Sequence, residues 1–228
     1  MTKAIILLSG GLDSLVSLAS IYQQTREILA LTFNYGQKSF NSEKLASEKI
    51  AQFYNIQYKI VDLPWLSEIS TSSLNTDVAV PILNLDKLDD ASITSNSSKS
   101  VWVPNRNGLF VNIAACFAEA NGYNTIIIGA NKEEAATFKD NTIQFVNAIN
   151  SSFENSMNEK VILEAPLINL TKDEIVKLGI KLNIPFELLH SCYLENDLHC
   201  GKCESCQRLK RALLQNKRQD IIDKIFKE

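Results

Sequence analysis

The chain has 228 residues, which is enough for one large domain or for one domain with an appendage. Its formal net charge is −3 and it contains no long basic run, so a broad nucleic-acid-binding surface is not expected, although residues 202–218 are locally basic. No apolar run approaches the roughly 18 residues that span a membrane, and the apolar N-terminus is too short for a signal peptide, so we expect a cytoplasmic protein with reduced cysteines.

Apolar strands alternate with helix-patterned segments along much of the chain. In chain order, the pattern predicts a strand over 4–8, a helix over 15–24, a strand over 28–33, a helix over 41–53, a strand over 58–61, a helix over 109–120 and a strand over 125–129. This alternation is typical of a doubly wound α/β fold, with a mainly parallel sheet and helices on both faces. Because such sheets bind ligands beyond the carboxyl ends of their strands, we expect a site where the first strand ends.

The first predicted strand leads directly into a turn of six residues, Ser9, Gly10, Gly11, Leu12, Asp13 and Ser14, and a helical pattern follows. Two adjacent glycines let the backbone turn sharply and approach an anion closely. The N–H groups at a helix start also attract anions. The serine hydroxyls can donate to phosphate oxygens, whereas Asp13 is suited to hold Mg²⁺ or to orient the turn. The alternative is an ordinary strand–helix corner in which Asp13 or Ser14 caps the helix.

This Gly-rich turn is not a Walker A motif, because no Gly-Lys-Ser/Thr follows it. It resembles, residue for residue, the nucleotide loop of the PP-loop ATP pyrophosphatases. Members of that superfamily cleave ATP between the α and β phosphates, activate a carbonyl oxygen as an adenylate and release pyrophosphate. The resemblance implies that Leu8 and the six residues of the turn bind ATP.

Two later segments have distinct patterns. Periodicity is lost after residue 71, and the polar stretch 92–100 predicts a mobile loop, either a surface insertion or a flap over a site. Farther on, Thr171 and Glu174 have the spacing of a capping box, and Gly179 is suited to end the helix that they start. The capping box does not account for Lys172, which the PP-loop resemblance places on the nucleotide phosphates.

Four of the five cysteines lie close together in the sequence: Cys192, Cys200, Cys203 and Cys206. Two overlapping Cys-x2-Cys units place thiolates on a turn and a helix start, and four sulfurs in a reducing compartment suit a structural Zn²⁺. An Fe–S cluster is the alternative. Gly201 supplies the permissive backbone that a metal-binding turn needs. A closed Cys₄ site leaves no open coordination position, so the zinc would hold its segment in place and take no part in chemistry.

Three nearby residues have weaker signals. His190 and His199 are alternative metal ligands, but we expect them at the surface or in contact with the ligands, because four thiolates already complete the site. Cys116 stands alone in an Ala-rich helix and is expected to be a small buried hydrophobe. We divide the chain into an ATP-binding α/β domain over 1–185 and a zinc-binding segment with the C-terminal helix over 186–228.

Three further segments follow strand ends or open helices that would face the Gly-rich turn. They are 33–38 (Phe-Asn-Tyr-Gly-Gln-Lys), 103–110 (Val-Pro-Asn-Arg-Asn-Gly-Leu-Phe) and 129–131 (Gly-Ala-Asn). With the turn and the cysteine spacing, they make the chain similar to the 7-cyano-7-deazaguanine synthases of queuosine biosynthesis, from about Lys3 to Leu213. The resemblance implies conversion of 7-carboxy-7-deazaguanine and ammonia to the nitrile with two ATP, through an adenylated acid, an amide and an adenylated amide. It also suggests a homodimer.

The same resemblance assigns roles to individual residues. Asp13, Lys172 and Arg106 are implied as catalytic, and Gly129 is implied to bind ATP together with the turn. Arg106 suits this role because its planar fork can hold a carboxylate or a phosphate. The substrate is expected to contact Tyr35, Gln37, Arg106, Asn107, Phe138 and Asp140.

One segment departs from the family pattern. Asp-Ser-Gly-Tyr-Pro-Asp-Cys is usual after the fourth strand, whereas residues 133–141 here read Glu-Glu-Ala-Ala-Thr-Phe-Lys-Asp-Asn. Phe138 and Asp140 can still offer an aromatic face and a carboxylate to a guanine-like edge. The chain is therefore either a divergent member with the same substrate or an amide-forming enzyme acting on a related acid.

Two other protein classes stay open. A tRNA-modifying PP-loop enzyme would carry a basic tRNA-binding surface or catalytic cysteines, and neither the net charge nor the clustering of four cysteines favours it. A non-catalytic nucleotide-binding or zinc-scaffold protein is disfavoured by the complete Gly-rich turn. The favoured interpretation requires the acid, ammonia and ATP with Mg²⁺, and predicts neither a membrane nor a nucleic-acid partner.

Overall fold

The computed structural model describes residues 2–227 and contains a five-stranded sheet flanked by helices. The strands are β1 (Thr2–Leu7), β2 (Thr25–Asn34), β3 (Gln57–Asp62), β4 (Thr125–Ile127) and β5 (Ile162–Glu164). The helices are α1 (Leu12–Tyr22), α2 (Phe40–Phe53), α3 (Trp65–Ile69), α4 (Ala91–Ser100), α5 (Arg106–Asn121), α6 (Lys132–Ala135), α7 (Ile143–Ser156), α8 (Lys172–Lys181), α9 (Glu204–Gln215) and α10 (Gln219–Ile225). None of the helices in this described range has the length and apolar character of a membrane span.

The sheet has the order β3-β2-β1-β4-β5 and all of its strand pairs are parallel. Ile5 in the centre of β1 pairs with Leu29 on one side and Ile126 on the other. The predicted doubly wound parallel sheet is therefore confirmed. The strand order reverses between β1 and β4, and a crevice opens outside the carboxyl ends of the strands at such a point. The Gly-rich turn, which follows β1, lies at this crevice.

Two apolar layers cover the two faces of the sheet. Ala4 and Ile6 of β1 belong to the layer formed with α1, α8, α9 and α10, whereas Ile5 belongs to the layer formed with α5 and α7. This division follows from the alternation of side chains along a strand. The C-terminal helices thus share a core with the sheet, and the domain boundary at residue 185 stays a prediction.

The stretch predicted as a mobile loop is helical, so that prediction is wrong. Residues 91–100 form α4, and Asp90 caps it by accepting hydrogen bonds from Ser92 N at 2.9 Å and Ile93 N at 3.2 Å. Its polar residues are partly buried, and the Ser97 hydroxyl donates to the carboxylate of Glu204 in α9. Composition suggested a loop because this helix packs through hydroxyls and hardly through apolar side chains.

Gly179 does not end α8, so the prediction of a stop there is also wrong. The capping box of Thr171 and Glu174 is present, but the helix continues to Lys181 and the left-handed residue is Asn183, with φ +51°. Gly179 is required by packing, because a Cβ on it would lie 2.8 Å from Ile184 Cδ1. The other predicted helices and strands occur with ends within three residues of their predicted bounds, and only the short β5 was missed among the strands.

Candidate active site and metal centre

The Gly-rich turn is packed tightly against α2. Gly10 has φ +75°, in the left-handed region, and a Cβ on it would lie 2.9 Å from the Cβ of Ala46. Both observations require glycine at this position. The turn is also bonded internally, since Ser14 Oγ donates to Gly11 O at 3.0 Å and lies 3.3 Å from Ser9 Oγ. The turn is therefore a preformed element at the carboxyl end of β1.

The start of α1 has the features of an anion site. Gly11 is its N-cap residue and offers no side chain to the first turn. The alternative in which Asp13 or Ser14 caps this helix is wrong, because Ser14 donates to a carbonyl and Asp13 pairs with Lys172. Of the first-turn N–H groups, that of Leu12 donates to Ser191 Oγ at 3.2 Å. First-turn N–H groups, together with the positive end of the helix dipole, favour a bound anion.

Lys172 lies between two carboxylates beside the turn. Its Nζ is 2.6 Å from Asp13 Oδ2 and 3.1 Å from Glu134 Oε1. Burial opposes its charge, but the two carboxylates raise the pKa of Lys172 above its ordinary value. Burial raises the pKa of Asp13 from its ordinary 3.8 to about 6, while Lys172 acts in the opposite direction. The three groups form a partly buried charged cluster whose net charge is negative when all are ionised.

One carboxylate oxygen of Asp13 has no hydrogen-bond partner in this cluster. Its Oδ1 is buried and accepts no hydrogen bond from the described residues. A buried carboxylate oxygen without a partner is costly unless a ligand completes it. Mg²⁺ is a hard cation that prefers oxygen ligands of this kind, so the donor set fits a magnesium ion bound together with phosphate oxygens.

A cavity of about 280 Å³ lies beyond the carboxyl ends of the central strands. Most of the predicted ATP- and substrate-binding residues line it: Leu8, Ser9, Gly11, Leu12, Asp13, Ser14, Tyr35, Arg106, Asn107, Gly129, Phe138, Asp140 and Lys172. Gly10 and Gln37 lie outside this lining. Gly129 also allows close packing, because a Cβ on it would lie 2.9 Å from Ser14 N.

Arg106 and Tyr35 form the wall of the cavity at the start of α5. Arg106 Nη1 donates to Tyr35 Oη at 3.0 Å, and the guanidinium lies over the Tyr35 ring, 5.5 Å from its centroid. Gln37 holds this wall from behind, since it accepts from Tyr35 N at 2.9 Å and donates to Phe33 O at 3.0 Å. Burial raises the pKa of the Asp140 carboxyl, and the charge of Arg106 partly offsets this. Arg106 and Asp140 therefore offer one cation and one carboxyl group to a ligand in the cavity.

The segment that departs from the family pattern forms part of the site. It includes most of α6 and a short 3₁₀ helix over Lys139–Asn141, and Glu134, Phe138 and Asp140 line the cavity. Glu133 Oε2 lies 3.3 Å from Arg208 Nη1 and 3.1 Å from Arg211 Nη2, both on α9. The altered sequence is therefore tied to the C-terminal helices by ion pairs.

Sequence reasoning missed several residues that line the cavity: Trp102, Glu134, His190, Ser191, Glu204 and Arg208. Trp102 directly precedes the Val-Pro-Asn-Arg segment, and Glu134 lies within residues 133–141, the segment that departs from the family pattern. Both residues are therefore adjacent in sequence to a segment that was already considered part of the site. Arg208 and Ser191 flank the cysteines in sequence, and only the fold brings them to the cavity.

The four clustered cysteines converge. Their Sγ atoms all lie within 4.8 Å of one another, and those of Cys200 and Cys206 are 3.8 Å apart. A tetrahedral zinc ion with Zn–S bonds of about 2.3 Å places its sulfurs about 3.8 Å apart, so the spacing fits one such ion. Gly201 has φ +67°, and the N–H groups of Lys202 and Cys203 each donate to Cys200 Sγ at 3.4 Å. The cluster can therefore hold a metal ion.

Both histidines near the cluster are buried, so of the two expected positions the surface is wrong and a position beside the ligands remains. His199 Nε2 accepts from Ser191 N at 2.9 Å, and its Nδ1 lies 3.0 Å from Ile225 O. Burial, followed by the neighbouring His190, lowers the pKa of His199 to about 4. A neutral His199 therefore joins the cysteine segment to the end of α10 through hydrogen bonds.

Cys116 is exposed, which contradicts the expectation of a buried position. It lies on the outer face of α5, whereas Ala114, Ala115 and Ala118 of the same helix are buried. An Ala-rich sequence does not by itself tell which face of a helix is packed.

Comparisons with known proteins agree with this geometry. A family model described as queuosine biosynthesis protein QueC matches residues 3–217. A 7-cyano-7-deazaguanine synthase from Methanobrevibacter smithii is 48% identical over 92% of both chains. One from Carboxydothermus hydrogenoformans is 47% identical over 93% of this chain and 98% of the other. Among solved structures, NMN synthetase from Francisella tularensis matches with a TM-score of 0.47 and 14% identity over 95% of this chain and 86% of that chain, a likeness too weak to support an argument.

The family match covers the Gly-rich turn, the cavity wall and the four cysteines together, and the relatives align over nearly their whole length. The chain belongs to the QueC family of queuosine biosynthesis proteins.

Proposed function

We propose that this chain converts 7-carboxy-7-deazaguanine and ammonia to 7-cyano-7-deazaguanine at the expense of two ATP. The observation that carries the proposal is a single cavity that joins the Gly-rich turn, Lys172 and Arg106 with an aromatic and carboxylate pocket, in a chain of the QueC family. The relatives named 7-cyano-7-deazaguanine synthase, at 44–48% identity over almost the whole chain, support the choice of substrate.

The proposed reaction has two adenylation rounds. In the first, a carboxylate oxygen of the acid attacks the α-phosphorus of ATP and pyrophosphate leaves, and ammonia then displaces AMP from the acyl carbon to form the amide. In the second, the amide oxygen attacks another ATP, pyrophosphate leaves, and loss of AMP with the two amide protons leaves the nitrile. Catalysis of this kind needs positioning and charge stabilisation, and no protein nucleophile.

The chain's own residues supply both. The Gly-rich turn and the start of α1 bind the phosphates, with the hydroxyl of Ser9 as a further donor. Lys172, held by Asp13 at 2.6 Å, stabilises the negative charge that develops on pyrophosphate. Arg106, held by Tyr35, orients the acid carboxylate or the α-phosphate through its planar fork.

Asp13 is the residue proposed to hold Mg²⁺, through the Oδ1 atom that has no partner among residues 2–227. When bound, the ion supplies charge neutralisation to the phosphates of ATP. Lys172 on Oδ2 keeps the carboxylate oriented toward the turn.

The four cysteines are proposed to hold one structural Zn²⁺. All four positions of a tetrahedral ion are then filled by thiolates, which leaves no position for substrate. Its role is to fix Cys192 and the start of α9, whose neighbours Ser191, Ser205 and Arg208 line the cavity. We further propose a cytoplasmic enzyme without a nucleic-acid partner; a homodimer stays a prediction.

A second candidate is an amide-forming ligase that acts on a related acid. It is favoured because residues 133–141, which differ from the family pattern, line part of the cavity. Mass spectrometry of the products from purified protein, ATP, Mg²⁺, ammonium and 7-carboxy-7-deazaguanine tests both candidates. The proposal predicts the nitrile. Accumulation of the amide would reassign the chain to the ligase class. Recovery of unchanged acid together with unconsumed ATP would refute the first candidate and leave the ligase on a related acid.

A further inference from the structure

Trp102 is open to the cavity although its neighbours are buried. Val101 and Val103 are 5% and 3% exposed, whereas Trp102 keeps 38% of its surface exposed and lines the cavity. An indole carries a large apolar surface that folding favours burying. An indole left open inside a ligand cavity therefore offers that surface to a ligand.

The ring of Phe138 lies parallel to this indole. The two ring centroids are 6.3 Å apart and the ring planes differ by 10°. The residues come from separate parts of the chain, one before α5 and one after α6, and both line the cavity. Two rings that sandwich a planar heterocycle lie about 7 Å apart, twice the optimal carbon contact of roughly 3.5 Å. The observed centroid separation lies close to that value, and the two ring planes are nearly parallel.

Polar groups suited to a guanine-like ring flank the aromatic pair. Asp140 follows Phe138 by two residues and lines the same cavity, where its carboxylate can accept N–H groups from the ring edge. Arg106 follows Trp102 by four residues, and its Nη1 donates a hydrogen bond to Tyr35 Oη. The parallel rings fix the plane of a bound heterocycle, and these two residues can fix its rotation within that plane.

We propose that Trp102 and Phe138 sandwich the bicyclic ring of the substrate acid and that Trp102 selects planar fused heterocycles. This inference rests on the proposed function and extends it by a residue outside the recognised motifs. Stacking is nearly independent of substituents on the ring, so the same pair holds the acid, the amide and the nitrile through both adenylation rounds.

The chain is well suited to a direct binding test because it has only two tryptophans, Trp65 and Trp102. In the Trp65→Phe variant, fluorescence comes from Trp102 alone. Titration with 7-carboxy-7-deazaguanine is expected to quench this fluorescence saturably. In the Trp102→Phe variant, the remaining Trp65 at the start of α3 reports only the absorbance of the added compound, and so it serves as the matched control.

Steady-state kinetics provide the second readout. Trp102→Leu is expected to raise KM for the acid about 10-fold, in the range of aromatic stacking on a base, with kcat and KM for ATP nearly unchanged. Trp102→Phe is expected to restore most of the affinity, because it keeps an aromatic face. Phe138→Leu is expected to act in the same direction as Trp102→Leu, and Trp65→Phe is expected to behave as wild type.

The outcomes separate this inference from the proposed function. Nitrile production with unquenched Trp102 fluorescence, or with wild-type KM in Trp102→Leu, would overturn the stacking role and leave the function intact. Conversely, the fluorescence titration needs no turnover. Saturable quenching by the acid supports the stacking role even if no nitrile forms, and absence of quenching in that case overturns the stacking role as well.

Discussion

The backbone N–H of Leu12 donates to the Ser191 hydroxyl at 3.2 Å, which joins the first turn of α1 to the residue that precedes Cys192. The N–H of His190 donates to Gly10 O at 2.8 Å in the same region. The cysteine cluster therefore lies next to the contacts that shape the Gly-rich turn. A metal that fixes Cys192 also fixes the position of the turn.

Removing one metal ligand should unfold part of the protein and impair the turn. Cys200→Ser is expected to lower the zinc content from one ion per chain to nearly none, because three thiolates leave an open coordination position. We expect the melting temperature to fall by about 10 °C, the size expected in a domain of this length for a loss of roughly 3 to 5 kcal/mol. Metal analysis and thermal unfolding measure both effects.

Cys116→Ser is the matched control for that variant. Cys116 is exposed on α5 and lies outside the cluster, so its replacement should change neither zinc content nor melting temperature. Full zinc content in Cys200→Ser, or an equal loss in both variants, would contradict the assignment of the cluster.

Removing the link between the two sites should weaken ATP binding without releasing zinc. Ser191→Ala removes the hydroxyl that accepts a hydrogen bond from the Leu12 N–H. A neutral hydrogen bond of this kind contributes about 0.5 to 1.5 kcal/mol. We expect KM for ATP to rise roughly 2- to 10-fold. Zinc content and KM for the acid should stay at wild-type values. Loss of zinc from this variant would show instead that Ser191 supports the cluster itself.

Lys172 should be essential for turnover. Lys172→Met removes the cation from between Asp13 and Glu134 and from the departing pyrophosphate, so we expect acid-dependent pyrophosphate release to fall at least about 100-fold. Lys177→Met on the same helix is the control, since Lys177 is exposed and should be dispensable. Thermal unfolding distinguishes lost chemistry from a lost fold. Comparable rates in the two variants would refute a phosphate role for Lys172.

Two glycine variants can distinguish the effect of tight packing at the Gly-rich turn from the effect of left-handed backbone strain. Gly10 and Gly122 both have positive φ, +75° and +71°, but only Gly10 has neighbours within 4 Å of an added Cβ. Gly122→Ala should therefore cost only the left-handed strain of about 1 to 2 kcal/mol. Gly10→Ala should cost more and should also abolish ATP turnover, because either Ala46 or the turn must move. Stability and ATP turnover in Gly10→Ala that match those of Gly122→Ala would contradict this account of the turn.

Much of the fold was readable from the sequence because the apolar strands are buried on both faces. The runs around Ile5 and Ile126 are continuous, as in a sheet covered on both sides, and the glycines of the turn mark where the first strand ends. The failures have a common cause in tertiary packing. α4 is held by buried hydroxyls, and Gly179 accommodates Ile184, and neither contact has a periodic signature.

The residues of the candidate site that belong to sequence motifs could be predicted. Those that only the tertiary fold brings to the cavity could not. The Gly-rich turn, Arg106 and the four cysteines stand in recognisable spacings. Ser191 and Arg208, by contrast, stand in no recognisable spacing, and only the tertiary fold brings them to the cavity. Gln37 was expected on the substrate, yet its amide is bonded to the backbone of Phe33 and Tyr35.

The most direct test of the account follows the oxygens of the acid. If the Gly-rich turn aligns the α-phosphorus for attack by the acid and then by the amide, a substrate whose carboxylate oxygens are both isotopically labelled transfers one labelled oxygen to each AMP. Mass spectrometry should then find two singly labelled AMP molecules for each nitrile and unlabelled pyrophosphate. Formation of ADP, or label in orthophosphate or pyrophosphate, would contradict the claim that this chain adenylates its substrate.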